Sequence, residues 1–212
     1  MIRHAEPNFG EDGRICLGTK LDLPLSETGR QQASRLGEQM KEKTLDAIYV
    51  SPLLRAKQTA DAFSQNCPRI TVPALTEVGS GEWEGMRFSD IYTRYPEYFD
   101  FEGTGGGKTP PGGESDEAAL ARGLAFLDTM KASQGKSLMM ITHSGFGRIL
   151  LCHLLGMPLY KKRMIPMRYA SCTELMLRDG IWEVRLSEEL IESNVWAAAP
   201  AEAKKPGLFF AP

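Results

Sequence analysis

Three short apolar runs along the chain each end at polar residues. The runs cover residues 1–2, 47–50 and 138–141, and the residues after them are Arg3-His4, Ser51-Pro52 and Thr142-His143. A segment with helical spacing of its apolar residues follows each run. Continuous apolar runs of this length, alternating with amphipathic helices, are typical of strands buried on both faces of a parallel sheet. The pattern predicts an α/β fold of three layers, with a mostly parallel central sheet and helices on both faces.

Four longer segments repeat apolar residues at the spacing of a helix. Serine is a favoured N-cap residue, and glycine followed by proline is a common helix stop. The predicted helices run from the cap Ser26 to about Lys43, from Leu53 to about Gln65, from the cap Ser115 onward, and from about Phe146 to Leu155.

The C-terminal part of the chain has a different pattern. Segments 175–178 and 181–186 flank Asp179-Gly180, a strong signal for a two-residue hairpin turn, and we expect this antiparallel hairpin to complete one edge of the sheet. Residues 84–114 contain a short helix followed by a stretch rich in glycine and proline, which predicts a surface insert. We assign residues 1–196 to a single domain and residues 197–212 to a flexible C-terminal tail.

Composition narrows the choice of partners. The 212 residues include 25 Lys and Arg and 27 Asp and Glu, a formal net charge of -2, with no block of like charges. A nucleic-acid surface and a membrane surface are therefore not indicated. The four cysteines form no C-x-x-C pair, and no apolar run approaches the length of a membrane span. We expect a cytoplasmic protein with reduced thiols, and the oligomeric state stays open, with a homodimer as one outcome.

Four cationic or imidazole side chains are expected to meet at one edge of the sheet. Residues that directly follow parallel strands converge in open α/β sheets, which places Arg3, His4 and His143 together. Arg55 comes one helical turn after Ser51 and can point back to the same edge. Two guanidinium groups and two imidazoles suit a phosphoryl group, which carries a charge of about -1.5 to -2 at neutral pH. We predict that Arg3 holds the phosphoryl group while His4 attacks it, and that the insert 84–114 lies over this site.

Each of these residues taken alone has a structural explanation. An Arg-His pair is usually on the surface, His143 could be a hydrogen-bonded strand-end residue, and an arginine on a helix is most often solvated. The joint arrangement is harder to explain by chance, because two of the three histidines follow separate strands at the same edge. His153, the third histidine, lies among leucines in a helical segment and is interpreted as structural.

Five segments of the chain resemble the motifs of a known family. They are RHAEP, SPLLRAKQTA, LTEVGSGEWEG, PPGGES and THSGFGRIL, in this order. With them the chain resembles the histidine phosphatase superfamily, also called the phosphoglycerate-mutase-like family, and particularly its α-ribazole phosphatase-like branch. The resemblance implies a phosphatase that acts through a phosphohistidine on a small-molecule phosphomonoester, with α-ribazole phosphate as a candidate. The implied roles are a nucleophile at His4, a phosphate clamp at Arg3 and Arg55, a donor at His143, a proton donor at Glu77, and an entrance lined by Gly18 and Gly10.

Several alternatives stay open at this point. Glu82, Glu84 and Glu114 compete with Glu77 for the role of proton donor, although the family register selects Glu77. A mutase, a non-catalytic module that binds phosphorylated ligands, and a metal-dependent hydrolase are competing functions. No metal and no cofactor is expected, because the sequence has neither clustered carboxylates nor an H-E-x-x-H pattern.

The N-terminal strand is the main departure from the family pattern. Only Met1 and Ile2 precede the Arg-His pair, where relatives have several apolar residues. Buried backbone groups without partners are costly. We therefore expect either a few apolar residues upstream of Met1 or a very short strand.

Overall fold

A parallel sheet forms the centre of the fold. In the computed structural model, which describes residues 1–10, 13–99 and 108–185, its strands are β1 (Ile2–Arg3), β2 (Ala47–Val50), β3 (Arg69–Thr71) and β4 (Leu138–Thr142). Their order across the sheet is β1-β4-β2-β3. The helices in the same residues are α1 (Glu27–Met40), α2 (Leu54–Ala60), α3 (Phe88–Arg94), α4 (Asp116–Met130) and α5 (Ser144–Leu154).

Helices cover both faces of the sheet, because successive strand residues point to opposite sides. On one face Ile48 and Ile141 pack in a cluster with residues of α1 and α2. On the other face Met140 packs with Leu127 of α4 and Phe146 of α5. Burying one such aliphatic side chain stabilises the fold by roughly 1.5–3 kcal/mol. The predicted three-layer α/β class with a mostly parallel sheet is confirmed.

Serine caps fix where two of the helices begin. The Ser26 hydroxyl oxygen accepts from the backbone N–H of Gly29 at 2.9 Å, and the Ser115 oxygen accepts from that of Ala118 at 3.1 Å. Each bond satisfies an N–H group that a helix start leaves unpaired, which stabilises the helix by about 1 kcal/mol. Both helix starts lie where the sequence predicted them.

Helix α2 is shorter than the sequence predicted. It ends at Ala60 rather than near Gln65. The cause is a contact from outside the helix, since the Arg69 guanidinium donates to the carbonyl of Ala60 at 2.7 Å and also to that of Phe63. The Gln65 side-chain amide donates to the carbonyl of Met40 at 2.6 Å, which ties the segment after α2 to the end of α1.

Strand β1 has only two residues, and its backbone groups are nevertheless paired. Ile2 lies opposite Ile141 of β4 on one side and forms a bridge with Cys172 on the other. The Met1 ammonium donates to the carbonyl of Thr173 at 2.6 Å, and the N–H of Thr173 donates to the carbonyl of Met1 at 2.8 Å. A very short strand, one of the two expectations for this segment, is what the structure contains.

The C-terminal hairpin follows directly on residues that border the sheet, since Cys172 bridges Ile2 and Thr173 exchanges hydrogen bonds with Met1. Strands β5 (Glu174–Arg178) and β6 (Ile181–Arg185) pair with each other as a separate two-stranded ribbon. Asp179 and Gly180 have positive φ angles of 49° and 78°, as a two-residue hairpin turn requires. Trp182 and Val184 of this ribbon pack against the cluster of α4 and α5. The predicted antiparallel hairpin is therefore confirmed, and it joins the sheet edge through the pairing of residues 172–173 with β1 rather than through β5 or β6 themselves.

Parts of two predicted segments lie outside the described residues. Residues 100–107 of the insert and all of 186–212 belong to this group. The assignment of 1–196 to one domain and of 197–212 to a flexible tail therefore stays a prediction. Within the described ranges, no helix has both the length and the apolar character that a membrane crossing needs.

Candidate active site

The four predicted site residues meet at the carboxyl ends of three neighbouring strands. Arg3 and His4 stand at the end of β1, His143 at the end of β4, and Arg55 in the first turn of α2 behind the end of β2. All four are buried, with between 0% and 7% of their surface exposed. The ring centroids of His4 and His143 are 5.0 Å apart. The structure thus brings together two imidazoles and two guanidinium groups that lie up to 140 positions apart in the chain.

One ring nitrogen of His4 is hydrogen-bonded to the backbone, and the other is free to react. Its Nδ1 lies 2.7 Å from the backbone carbonyl of Ala5. A carbonyl oxygen can only accept, so Nδ1 carries the ring proton and Nε2 keeps its lone pair. Burial lowers the pKa of His4 well below 6.5, and the positive charges of Arg55 and Arg3 lower it further. His4 is therefore a neutral imidazole near pH 7, which is the form that can act as a nucleophile.

The two arginines are held by backbone carbonyls. Arg3 donates to the carbonyl of Met167 at 2.5 Å, and its guanidinium carbon lies 3.8 Å from the centre of the Tyr169 ring. Arg55 donates to the carbonyl of Gly18 at 2.9 Å and to that of Leu21 at 3.1 Å. Burial lowers the pKa of Arg3 to about 10, so that it stays charged at neutral pH. These contacts fix the orientation of both guanidinium groups, and Arg55 also forms a long ion pair, at 3.8 Å, with the exposed Asp22.

The orientation of His143 is set by Ser51, the residue that directly follows β2. His143 Nε2 lies 2.7 Å from the Ser51 hydroxyl oxygen, and both residues are fully buried. The same oxygen accepts a long hydrogen bond from the N–H of Leu53 at 3.4 Å. The buried hydroxyl hydrogen then needs an acceptor, and Nε2 is the one that these contacts provide. We assign the ring proton of His143 to Nδ1 on this ground. Burial and then the charge of nearby groups lower its pKa well below 6.5.

Three buried nitrogen atoms of this group have no hydrogen-bond partner among the described residues. They are Nε of Arg3, Nε of Arg55 and Nδ1 of His143. Buried polar groups in folded proteins nearly always have partners, and exceptions point to a ligand or ion. With the tautomer assigned above, all three atoms are N–H donors. Three unpaired donors, two of them on charged groups, describe a receptor for an anion with several acceptor oxygens.

The Glu77 carboxylate lies at the start of α5, beside this group. Oε1 accepts from the backbone N–H groups of Val78 and Phe146, both at 2.9 Å, and Oε2 accepts from that of Gly145 at 3.2 Å. A Cβ atom at Gly145 would come within 2.7 Å of Oε1, so only glycine allows this approach. Glu77 is thereby held rigidly, with remaining hydrogen-bonding capacity mainly on Oε2.

The competing glutamates have other partners. Glu84 accepts from the N–H groups of Lys20, at 2.6 Å, and Thr19, at 3.1 Å, and so ties two loops together. Glu114 forms a paired hydrogen bond with the Arg122 guanidinium at 2.8 and 2.9 Å. Arg122 also donates to the carbonyl of Glu77 at 3.2 Å, which anchors the loop that carries this residue. Glu82 is exposed. Of the four candidates, Glu77 has the geometry expected of the proton donor, and its role stays a proposal.

A cavity of about 620 Å³ opens from this group. Gly18 lines it, as do Phe88, Tyr92 and other described residues of the predicted insert 84–114. Gly10 is exposed and does not line the cavity, whose nearest lining residue in that loop is Phe9. Three features of the site were not predicted from the sequence: Ser51 beside His143, Tyr169 beside Arg3, and the further arginines of the cavity wall. Ser51 could have been found, because it follows a strand at the same edge as the histidines.

A metal centre finds no support in the described part of the chain. No group of three or more His, Cys, Asp or Glu side chains there is arranged to hold a metal ion. The expected metal independence stays a prediction that a chelator can test.

Comparisons with known proteins agree with this geometry. A sequence profile of the histidine phosphatase superfamily (branch 1) matches residues 1–189. Phosphoserine phosphatase 1 of Hydrogenobacter thermophilus is 33% identical over 174 residues, which are 76% of this chain and 77% of that protein. A solved mycobacterial glucosyl-3-phosphoglycerate phosphatase is 25% identical with a TM-score of 0.76, covering 94% of this chain and 98% of its own. The α-ribazole phosphatase of Shigella flexneri has a similar fold, with a TM-score of 0.75 at 23% identity over 87% of this chain and 93% of its own.

Proposed function

Because the chain belongs to the histidine phosphatase superfamily, we propose that it hydrolyses a small phosphomonoester through a phosphohistidine formed on His4. One observation carries this proposal above the others. Three unpaired N–H donors, on Arg3, Arg55 and His143, belong to the same buried group as a neutral histidine whose Nε2 is free. A phosphoryl group supplies the acceptor oxygens that these donors lack, and its phosphorus atom is the electrophile for that nitrogen.

The reaction needs two steps with Glu77 acting in both. Nε2 of His4 attacks phosphorus, the bond between phosphorus and the ester oxygen breaks, and the leaving alkoxide takes a proton from Glu77. Water then attacks the phosphohistidine and gives a proton to Glu77, so that inorganic phosphate leaves and His4 is neutral again. Arg3, Arg55 and His143 stabilise the negative charge that spreads over the three equatorial oxygens in both steps.

Glu77 is suited to this exchange by its hydrogen bonds. Oε1 already accepts two N–H bonds, whereas Oε2 accepts one long bond, so Oε2 is the oxygen that has room for a proton. A positioned acid of this kind contributes roughly 10²–10⁴-fold to the rate.

The substrate belongs to the class of small phosphorylated metabolites. α-Ribazole phosphate is one candidate, supported by the motif resemblance and by the fold of the Shigella flexneri enzyme. The names of other relatives include phosphoserine phosphatase and glucosyl-3-phosphoglycerate phosphatase. A screen of these esters with p-nitrophenyl phosphate as reference ranks the candidates by kcat/KM.

Trapping of the covalent intermediate tests the proposal. Rapid quenching with a ³²P-labelled phosphomonoester should leave acid-labile label on the protein, and His4→Ala should abolish it. His153→Ala is the matched control, because His153 is exposed and lies away from the cavity. Absence of label with every ester, together with retained phosphate binding, would establish a non-catalytic binder instead. Transfer of label to an added alcohol rather than to water would identify a mutase, and loss of activity with a chelator would identify a metal-dependent hydrolase.

A further inference from the structure

The half-buried carboxylate of Glu84 is hydrogen-bonded to the backbone of two loops. It lies directly after a short 3₁₀ helix, Gly81–Trp83. Its Oε1 accepts from the N–H groups of Thr19 and Ser80, both at 3.1 Å, and its Oε2 accepts from the N–H of Lys20 at 2.6 Å. Hydrogen bonds to an ionised carboxylate are roughly twice as strong as bonds between neutral groups. Glu84 therefore holds the loop that contains Thr19 and Lys20 in place.

The same loop holds Arg55. The guanidinium donates from Nη2 to the carbonyl of Gly18 at 2.9 Å and from Nη1 to that of Leu21 at 3.1 Å. The carbonyl of Gly18 and the N–H of Thr19 belong to one peptide unit. This unit therefore connects the two charged groups, because it accepts from the Arg55 guanidinium and donates to the Glu84 carboxylate. Hydrogen bonds in such a chain polarise and strengthen one another.

Gly18 packs directly on the Glu84 carboxylate. Its φ angle is 52°, in the left-handed region that favours glycine. A Cβ atom at this position would lie 2.2 Å from Oε1 of Glu84 and 2.3 Å from the carboxyl carbon. Gly18 is also buried and lines the cavity. A shift of the carboxylate would therefore also shift the carbonyl that holds Arg55.

The two carbonyls orient Arg55 more closely than its ion pair does. The ion pair with Asp22 is 3.8 Å long, and the Asp22 side chain is 42% exposed. Burial lowers the pKa of Arg55, and Glu84 is one of the groups whose charge opposes this effect. With Nη1 and Nη2 bonded to the loop, the buried Nε is the nitrogen of Arg55 without a partner among the described residues. The loop thus sets the orientation in which Nε is left for a ligand.

We propose that Glu84 is a positioning residue for anion binding, which acts through the peptide unit between Gly18 and Thr19 to hold the Arg55 guanidinium in its binding orientation. This inference rests on the proposed function only for the role of Arg55 as a phosphate clamp. It also predicts the opposite of what charge alone would do. A carboxylate near an anion site weakens anion binding by repulsion, whereas a carboxylate that orients a buried guanidinium strengthens it.

The affinity for inorganic phosphate, measured by isothermal titration calorimetry, tests this sign. Glu84→Gln should raise Kd by about 3- to 10-fold, less than the 10- to 100-fold expected for Arg55→Met, because the guanidinium keeps its charge. Glu82→Gln is the matched control, because it removes the same charge from the same segment while Glu82 is exposed and outside the cavity. Its Kd should equal that of the native protein or be lower. An unchanged or lower Kd in a Glu84→Gln protein with a native thermal melt overturns the positioning role.

A double-mutant cycle tests whether the effect passes through Arg55. In the Arg55→Met background, Glu84→Gln should change the Kd for phosphate by less than about 2-fold, because the group that Glu84 positions is gone. An increase as large as that in the native background overturns the inference, since Glu84 would then act on another part of the site.

Hydrogen exchange on the native protein gives a second test, which does not depend on the folding of a variant. Coupling between two sites is reciprocal, so a bound phosphate that holds Arg55 also holds the loop. Saturation with inorganic phosphate should therefore slow the exchange of the Thr19 and Lys20 amides, and unchanged exchange overturns the inference.

The same experiments separate this inference from the proposed function. A native protein that binds phosphate but gives no ³²P label with any ester overturns the proposed hydrolysis, while a raised Kd in Glu84→Gln still supports the positioning role. A labelled native protein whose Kd does not respond to Glu84→Gln retains the proposed function and loses the inference. Failure of the native protein to bind phosphate overturns the phosphate clamp and the inference together.

Discussion

Replacing Ser51 by alanine tests whether the ring proton of His143 is where the hydrogen bonds place it. The substitution removes the one partner of His143 Nε2, at 2.7 Å, from a fully buried site in which Nδ1 already has none among the described residues. An unpaired buried polar group costs about 1–3 kcal/mol of the free energy of unfolding. The ring is then free to carry its proton on Nε2, and this tautomer turns a lone pair rather than an N–H toward a phosphoryl oxygen.

Ser51→Ala should lower activity because, in part of the molecules, His143 no longer presents an N–H donor to the phosphoryl group. Removing a transition-state donor outright, as in His143→Ala, lowers kcat by about 10²–10³-fold. Ser51→Ala leaves the ring in place, so we expect a smaller loss in kcat, about 10- to 100-fold, with KM for the phosphomonoester changed less. Steady-state kinetics with p-nitrophenyl phosphate and a thermal melt measure the two effects separately.

Nitrogen NMR distinguishes a positioning role from a purely structural one. In the ¹⁵N spectrum of the native protein, His143 should show a protonated Nδ1 and an unprotonated Nε2, and Ser51→Ala should move the proton at least partly to Nε2. Ser51→Thr keeps the hydroxyl group and should keep the native protonation pattern. A native spectrum with the proton on Nε2 would refute the assignment, as would unchanged kcat in Ser51→Ala beside a strong loss in His143→Ala.

Three further predictions concern acid catalysis, pH and packing. Glu77→Gln should lower kcat/KM for alkyl phosphates by roughly 10²–10⁴-fold but much less for p-nitrophenyl phosphate, whose leaving group needs no proton; equal losses would exclude the acid role. Burial, and then nearby positive charge, lowers the pKa of His4 and His143 well below 6.5, so the unfolded chain binds more protons below that pH. The free energy of unfolding should therefore decrease as the pH is lowered below 6.5, by up to about 1.4 kcal/mol per pH unit for each histidine. In urea titrations, the free energy of unfolding of His4→Asn should depend less steeply on pH than that of the native protein. Gly37→Ala should destabilise the fold by about 1–3 kcal/mol in urea titrations, although alanine favours helices, because its Cβ would lie 2.1 Å from the Ala62 carbonyl oxygen; a stabilised variant would contradict the close packing of α1.

The parts of the fold that the sequence predicted well are those set by local pattern. Strand β4 and the helix starts at Ser26 and Ser115 follow from apolar runs and capping residues alone. Strand β3 was missed, because its three residues are exposed and show no apolar run. The end of α2 depends on Arg69, which comes nine residues later in the chain, and no local signal marks that contact.

The same distinction applies to the site. Arg3, His4 and His143 were predictable because residues after parallel strands converge whatever their spacing in the chain. The place of Arg148 at the cavity wall was not predictable, because an arginine on a helix gives no sign in the sequence of whether it faces solvent or a cavity. For Gly10 the prediction was too broad. The stretch of chain that contains it was assigned to the cavity entrance as a whole, whereas Phe9 lines the cavity and Gly10 does not.

The arrangement of charge in the site suits the proposed reaction, in which the same buried group binds an anion and attacks it. The two clamp arginines keep their protons under burial, since even the lowered pKa of Arg3, about 10, is well above neutral pH. The same burial, together with the arginines, removes the proton from His4, because the imidazolium would add charge to an already positive enclosure. In the proposed reaction, this positive field attracts the phosphoryl dianion, and it keeps His4, the proposed nucleophile, neutral until the dianion arrives. A lysine in place of Arg3 would weaken both effects, because a buried ammonium loses its proton more readily and lacks the fork of donors that matches phosphate oxygens.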